Sequence, residues 1–136
     1  MTRGGGDLDL SGIWHGRFSF PRNFEPVSFA ATLAESDTWL SGSTEEVGMR
    51  GEAAGKTIGA TLQGRRHGSA VAFLKTYDAL LRGYDAVRYD GAVNAEATEV
   101  VGRWTIPGNW SGAFLMIRAS GITDAVARET EAVNSA

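Results

Sequence analysis

An eight-stranded antiparallel up-and-down β-barrel, an all-β fold, is what the sequence predicts, and three observations predict it. Eight segments rich in β-branched and aromatic residues recur along the chain. The breaks between them are mostly short and carry turn residues such as Ser36-Asp37, Arg66-His67-Gly68 and Pro107-Gly108-Asn109. The 18 glycines are spread among those runs and are not collected in one linker. Parallel βαβ units would need about a dozen or more intervening residues with helical periodicity, and no segment between the runs has it. Sequential hairpins follow, and eight meandering strands leave two raw edges unless the sheet closes on itself.

The chain has 136 residues, enough for one domain with a single core. Residues 1–9 read as a disordered lead, because three consecutive glycines bring no side chains to bury. The barrel domain spans 10–118. Its expected strands are GIWHGRFSF (12–20), VSFAATLAE (27–35), TWLSGS (38–43), TIGATLQG (57–64), SAVAFLKTY (69–77), YDAVRYDGAV (84–93), EVVGRWTI (99–106) and SGAFLMIR (111–118). The tail, 119–136, reads either as a short helix capped by Thr123, with Ile122 and Val126 on one side, or as loose chain.

Period two assigns the faces. Trp14, Phe18 and Phe20 share a face with Gly12 and Gly16. Val71, Phe73, Lys75 and Tyr77 share another, as do Val87, Tyr89 and Gly91, then Gly102, Trp104 and Ile106, then Gly112, Phe114 and Met116. Rings paired with glycines suit a tapering interior, so these faces are expected to point inward. The opposite faces carry Ala70, Ala72, Leu74, Val101, Ala113, Leu115 and Ile117. A monomeric barrel should be mainly polar there, and a contiguous apolar patch marks an interface. The expectation is a homo-oligomer, a dimer in first place, with the tail as the competing cover.

Composition excludes several function classes. Thirteen Lys+Arg against sixteen Asp+Glu give a net charge of −3, and the basic residues are scattered apart from Arg65-Arg66. No nucleic-acid face is expected. With no cysteine, disulfides, thiolate zinc sites and cysteine nucleophiles are excluded. The N-terminus lacks an apolar stretch of signal-peptide length, and no run approaches ~18 consecutive apolar residues, so a soluble cytoplasmic protein without membrane contact is expected.

The stretch GEAAGKT (51–57) ends like a phosphate-binding loop. That motif needs a glycine five residues before Gly55, where Arg50 stands, and it must open a helix, whereas Lys56-Thr57 opens an alternating run. No nucleotide site or other cofactor is expected. The stretch belongs instead to the longest connection, roughly Thr44 to Lys56, in which Glu45 and Glu46 read as solvated acids. Catalytic residues are few: His15 falls on an outward face and His67 in a turn, and neither a nucleophile–base pair nor a two-histidine metal site emerges. The chain is not expected to be an enzyme.

Gly12-Ile13-Trp14, the hairpin ending Leu40-Ser41-Gly42, the run VAFLKTY and the late Gly102-Arg103-Trp104 together resemble the avidin/streptavidin-like barrels, within the wider group of small ligand-binding barrels that includes lipocalins. The likeness spans roughly 11–118 and implies a barrel that holds a small molecule and assembles through its faces. Biotin itself is not implied. The four polar residues that hold it in that family are replaced here by Gly16, Phe20, Thr44 and Glu46. Its ureido group would lack partners, at about 1–3 kcal/mol for each unpaired buried group.

The expected function is therefore non-enzymatic binding of a small molecule, with a cavity lined by Trp14, Phe18, Phe73, Lys75, Tyr77, Tyr89 and Trp104 and with Arg118 near the same mouth as Tyr77 and Tyr89. Trp14 and Trp104 are read either as stacking surfaces or as core. An inward Lys75 must meet an acid such as Glu35 or Asp90, a ligand anion, or water at the barrel end. The alternative is a structural or interaction module whose interior is solid core.

Overall fold

The computed structural model describes residues 9–21, 25–47, 55–77, 86–108 and 110–119. Eight strands follow one another around a closed antiparallel barrel: β1 Gly12–Phe18, β2 Val27–Ser36, β3 Trp39–Val47, β4 Thr57–His67, β5 Ala70–Tyr77, β6 Val87–Val93, β7 Glu99–Ile106 and β8 Trp110–Arg118. Each pairs with the next, and β1 closes on β8 in the register Trp14 with Arg118 through Phe18 with Phe114. Burial alternates along every strand, as in β5, where Val71, Phe73 and Lys75 are buried between exposed Ala70, Ala72, Leu74 and Thr76. The inward faces read from period two are the buried ones, and His15 is exposed on the outer wall.

Two strands run further than the sequence suggested. β3 continues through Thr44, Glu45 and Glu46 to Val47, which moves these residues out of the long connection. β4 continues through Arg66 and His67, so the turn shrinks to Gly68-Ser69. In both cases cross-strand pairing overrides local polarity: Glu46 pairs with Ile58 and Phe29, and Arg66 with Val71. Of the expected disordered lead (1–9), residues 1–8 lie outside the described residues, as does the tail from 120 onward; Asp9 is described, and its side chain accepts a hydrogen bond from the Ser11 N–H.

Up-and-down order divides the barrel into a hairpin end and a loop end. Asp37-Thr38, Gly68-Ser69 and residues 94–98 join strands at the first; residues 19–26, 48–56, 78–86 and 107–109 join them at the second. Asp37 adopts φ 56° and Gly68 φ 60°, the left-handed geometry that two-residue hairpins require.

Beneath the hairpin end lies a plug. Leu10 is fully buried; its N–H donates to Glu35 Oε1 at 2.8 Å and its carbonyl accepts the Trp14 indole N–H at 2.9 Å. Arg66 reaches the same Glu35 oxygen at 3.0 Å. Arg118 donates to the carbonyls of Ala97 (2.8 Å), Ser11 (2.9 Å) and Asp9, and its guanidinium lies 4.7 Å from the centre of the Trp14 ring.

Rings fill the middle. Phe73 stacks on Tyr89 with centroids 5.0 Å apart, and Phe114 meets Tyr89 edge-on at 4.9 Å. Across from them β1 to β4 contribute small inward residues: Gly16, Ala31, Thr44 and Ala60. At Gly16 the space is already taken, because a Cβ there would come within 2.2 Å of Phe29 Cζ. Gly16→Leu is therefore expected to overpack the barrel and to cost about 1–3 kcal/mol, read as a lowered midpoint in thermal unfolding; an unchanged midpoint would mean that the Phe29 ring has somewhere else to go.

Candidate functional site

At the loop end, three side chains converge that no local pattern brings together. Inward alternation along β3 runs Leu40, Gly42, Thr44, Glu46, and along β5 it runs Val71, Phe73, Lys75, Tyr77. Thr44 pairs with Ala60 on β4, and Ala60 with Tyr77 on β5, so a single strand with small Ala60 at this level separates the two polar faces. Glu46 reaches across it. Its carboxylate accepts a charge-assisted hydrogen bond from the Lys75 ammonium, and Tyr77 Oη lies 3.1 Å from each carboxylate oxygen.

The pair is out of water: Lys75 is 0% exposed and Glu46 6%. Rings surround the ammonium, with the centres of Phe18 and Phe29 each 4.9 Å from Nζ, Tyr77 at 4.8 Å and Tyr89 at 5.8 Å. Their electron-rich faces replace part of the hydration that the ammonium has lost. Burial lowers the Lys75 pKa below its ordinary 10.5, and the charge and hydrogen bond of Glu46 oppose that shift. Burial, aided by the negative Glu46, raises the Tyr89 pKa, so its phenol stays neutral. The pair as a whole carries no net charge.

Beside it, Thr44 is 2% exposed, and its Oγ1 is the buried side-chain polar atom without a hydrogen-bond partner among the described residues. An aromatic group closes the other side. Phe18, Phe20, Trp104 and Trp110 meet edge-on or tilted, with centroids 5.3–6.4 Å apart. Trp104 donates its indole N–H to the Ser19 carbonyl at 2.8 Å, over Gly112, where a Cβ would come within 2.6 Å of that nitrogen.

The structure thus brings Phe18, Lys75, Tyr77 and Trp104 together at the loop end, and places Phe73 and Tyr89 in the middle. Trp14 and Arg118 sit at the hairpin end. Arg118 does not share a mouth with Tyr77, because β5 and β8 run in opposite directions and their C-terminal ends lie at opposite ends of the barrel. Lys75 takes Glu46 as its partner; Glu35 is engaged by Arg66 and Leu10, and exposed Asp90 lies 3.7 Å from Arg88 on the outer wall. Sequence reasoning missed Phe29, Thr44 and Glu46 as site residues. The signal for the last two was there, since extending the alternation of Leu40 and Gly42 by two steps turns both inward. Glu45, by contrast, is exposed as expected.

An open depression of about 430 Å³ on β1 to β4 is lined by the outward His15, Ser28, Ala30, Glu45, Val47 and Thr57 together with Gly16, Phe29 and Glu46 of the inward face. Among the described residues no three His, Asp or Glu side chains gather to hold a metal ion. Compared with protein-family models and with curated proteins, the chain finds no match.

A buried pair is costly to break and cheap to replace whole. Glu46→Gln or Lys75→Met alone should destabilise the barrel by about 3–5 kcal/mol, whereas Glu46→Leu with Lys75→Met should fall close to wild type, as measured by urea unfolding. The pH dependence carries a sign. Because the folded state holds the Lys75 pKa down, the unfolded chain binds that proton more readily, and stability should rise with pH over the range just below about 10. The double variant should lack this rise. Above about pH 10, Tyr89 acts the other way, because its raised pKa disfavours the phenolate in the fold.

Proposed function

We propose that the barrel is a non-enzymatic binder of a small, uncharged, flat molecule, held at the loop end by Thr44, Glu46 and Tyr77 between the rings of Phe18, Phe29 and Trp104. The observation that carries this reading is the Thr44 hydroxyl, buried without a partner two residues from Glu46 on the same inward face. An unpaired buried hydroxyl costs about 1–3 kcal/mol, and a ligand that hydrogen-bonds to it relieves that cost. A buried ion pair is a weak source of stability, and here it points polar groups at the end that carries the long connections, where ligand-binding residues concentrate in rigid scaffolds.

The chemistry narrows the ligand. Glu46 and Lys75 balance each other, so a charged guest would bring an uncompensated charge into a desolvated site. Aromatic walls favour a planar guest. Glu46 is engaged on both oxygens by Lys75 and Tyr77, which leaves it a hydrogen-bond acceptor rather than a free general base. The likeness to avidin-like barrels supports the location, since Thr44 and Glu46 occupy two positions that hold the ligand in that family. It does not support biotin, because Gly16 and Phe20 offer no side-chain hydrogen bond.

A structural or interaction module with a solid interior is the second reading. It is favoured by the Phe73–Tyr89–Phe114 packing and by the Phe29 ring lying over Gly16. A screen of uncharged aromatic heterocycles by tryptophan emission separates the two, because Trp104 borders the site. A binder should shift the emission, and Thr44→Val should weaken it about tenfold while leaving the empty barrel as stable or about 1 kcal/mol more stable. No shift from any compound, together with a stabilising Thr44→Val, would favour the solid module.

A further inference from the structure

We propose that Lys75 is a covalent anchor: the loop-end site takes a flat aromatic aldehyde, and the Lys75 side-chain nitrogen joins its carbonyl carbon in a reversible imine. The inference rests on the reading of the loop end as a ligand site. Three observations carry it. Lys75 is 0% exposed, and rings stand 4.8–5.8 Å from its Nζ; a lysine desolvated in this way is a nucleophile toward carbonyl carbon, because burial disfavours the ammonium. Burial does hold its pKa down, against the opposing charge and hydrogen bond of Glu46. Second, the proton that Lys75 must shed has a receiver in place, the Glu46 carboxylate to which it is already bonded. Third, Lys75 is level with Leu62 on β4 and through it with Gly42 on β3, whereas its ammonium meets Glu46, two inward positions further on. Thr44 is the position between, and its buried Oγ1 has no partner among the described residues. A carbonyl oxygen brought beside the nitrogen is the acceptor that this hydroxyl lacks.

The step balances within the site. Lys75 passes one proton to Glu46, and its neutral nitrogen attacks the carbonyl carbon while the C=O electron pair moves to oxygen, held by the Thr44 hydroxyl. A second nitrogen proton moves to that oxygen and gives a carbinolamine. The proton on Glu46 then joins the oxygen, which leaves as water as the nitrogen lone pair closes the C=N bond. The product is a protonated imine beside an ionised Glu46. One positive and one negative charge stand in the site before and after, so an uncharged guest leaves the pair balanced, and the ring faces attract the iminium as they attract the ammonium. Exclusion of water protects the imine from hydrolysis.

The chain has two lysines, and exposed Lys56 serves as the internal reference. Full-length protein is treated with benzaldehyde and sodium cyanoborohydride, which reduces an iminium to a stable amine, and adducts are mapped by peptide mass spectrometry. Lys75 should carry about tenfold or more label than Lys56. Lys56→Arg should leave the Lys75 label intact, and Thr44→Val should cut it about tenfold, because the carbonyl oxygen loses its donor. Label at Lys56 equal to or above that at Lys75, or full Lys75 label in Thr44→Val, would overturn the proposal. Benzyl alcohol, which cannot form an imine, separates this failure from failure of the site: a tryptophan emission shift with benzyl alcohol but no Lys75 adduct with benzaldehyde overturns the anchor alone, whereas neither shift nor adduct overturns anchor and site together.

Discussion

Closing the sheet between β1 and β8 obliges every second residue of eight strands to share one enclosed interior. Little else in this molecule is independent of that constraint. An eight-stranded barrel is just wide enough to be filled by side chains or to hold one small guest, so a large ring on one strand demands a small residue opposite it. Rings and small residues are interleaved as a result: Trp14, Phe18 and Phe29 on β1 and β2 lie among Gly16 and Ala31, and Phe73, Tyr89, Trp104 and Phe114 on β5 to β8 among Gly91, Gly102 and Gly112. Closure also means that a charged side chain on an inward position cannot swing out to water. Lys75 is trapped in this way, and its ammonium must be met from inside, by the Glu46 carboxylate and four ring faces.

The two ends solve their polar problems differently. At the hairpin end Glu35, Arg66, Arg118 and the backbone of residues 9–11 form a network in which carbonyls and carboxylate receive the guanidinium and amide donors, and Leu10 with Trp14 seals the opening. This is a structural closure. At the loop end the polar groups are fewer, more deeply desolvated and incompletely paired, since Thr44 Oγ1 has no partner. Unsatisfied polar groups in a native interior mark places where stability alone does not dictate the residue. The contrast between ends, more than any single contact, is what distinguishes the plug from the candidate site.

Much of this was legible in the sequence, and the parts that were not share a cause. Alternation and turn residues located the eight strands to within a few positions, and parity alone turned Lys75 inward. The partner of Lys75 was not legible, because Glu46 lies two strands away across Ala60, and which inward residues meet across a barrel depends on its stagger, a global quantity without local signature. Glu46 was read as solvated because it follows another acid; cross-strand pairing with Phe29 and Ile58 overrode that polarity. The misplacement of Arg118 is different, since it was avoidable: in an up-and-down order the C-terminal ends of β5 and β8 must lie at opposite ends. The apolar residues on the outer faces of β5, β7 and β8 were legible from the same alternation.

The account turns on an ammonium held among aromatic rings inside a closed barrel. The chain contains two lysines, Lys56 and Lys75, and Lys56 is exposed, so proton NMR of protein carrying ¹³C-labelled lysine resolves the question in one spectrum. The account predicts one Hε resonance moved far upfield by ring currents, with nuclear Overhauser contacts to the Phe18 and Phe29 ring protons, and a second resonance with neither feature. Two solvent-like Hε resonances without ring contacts would contradict it.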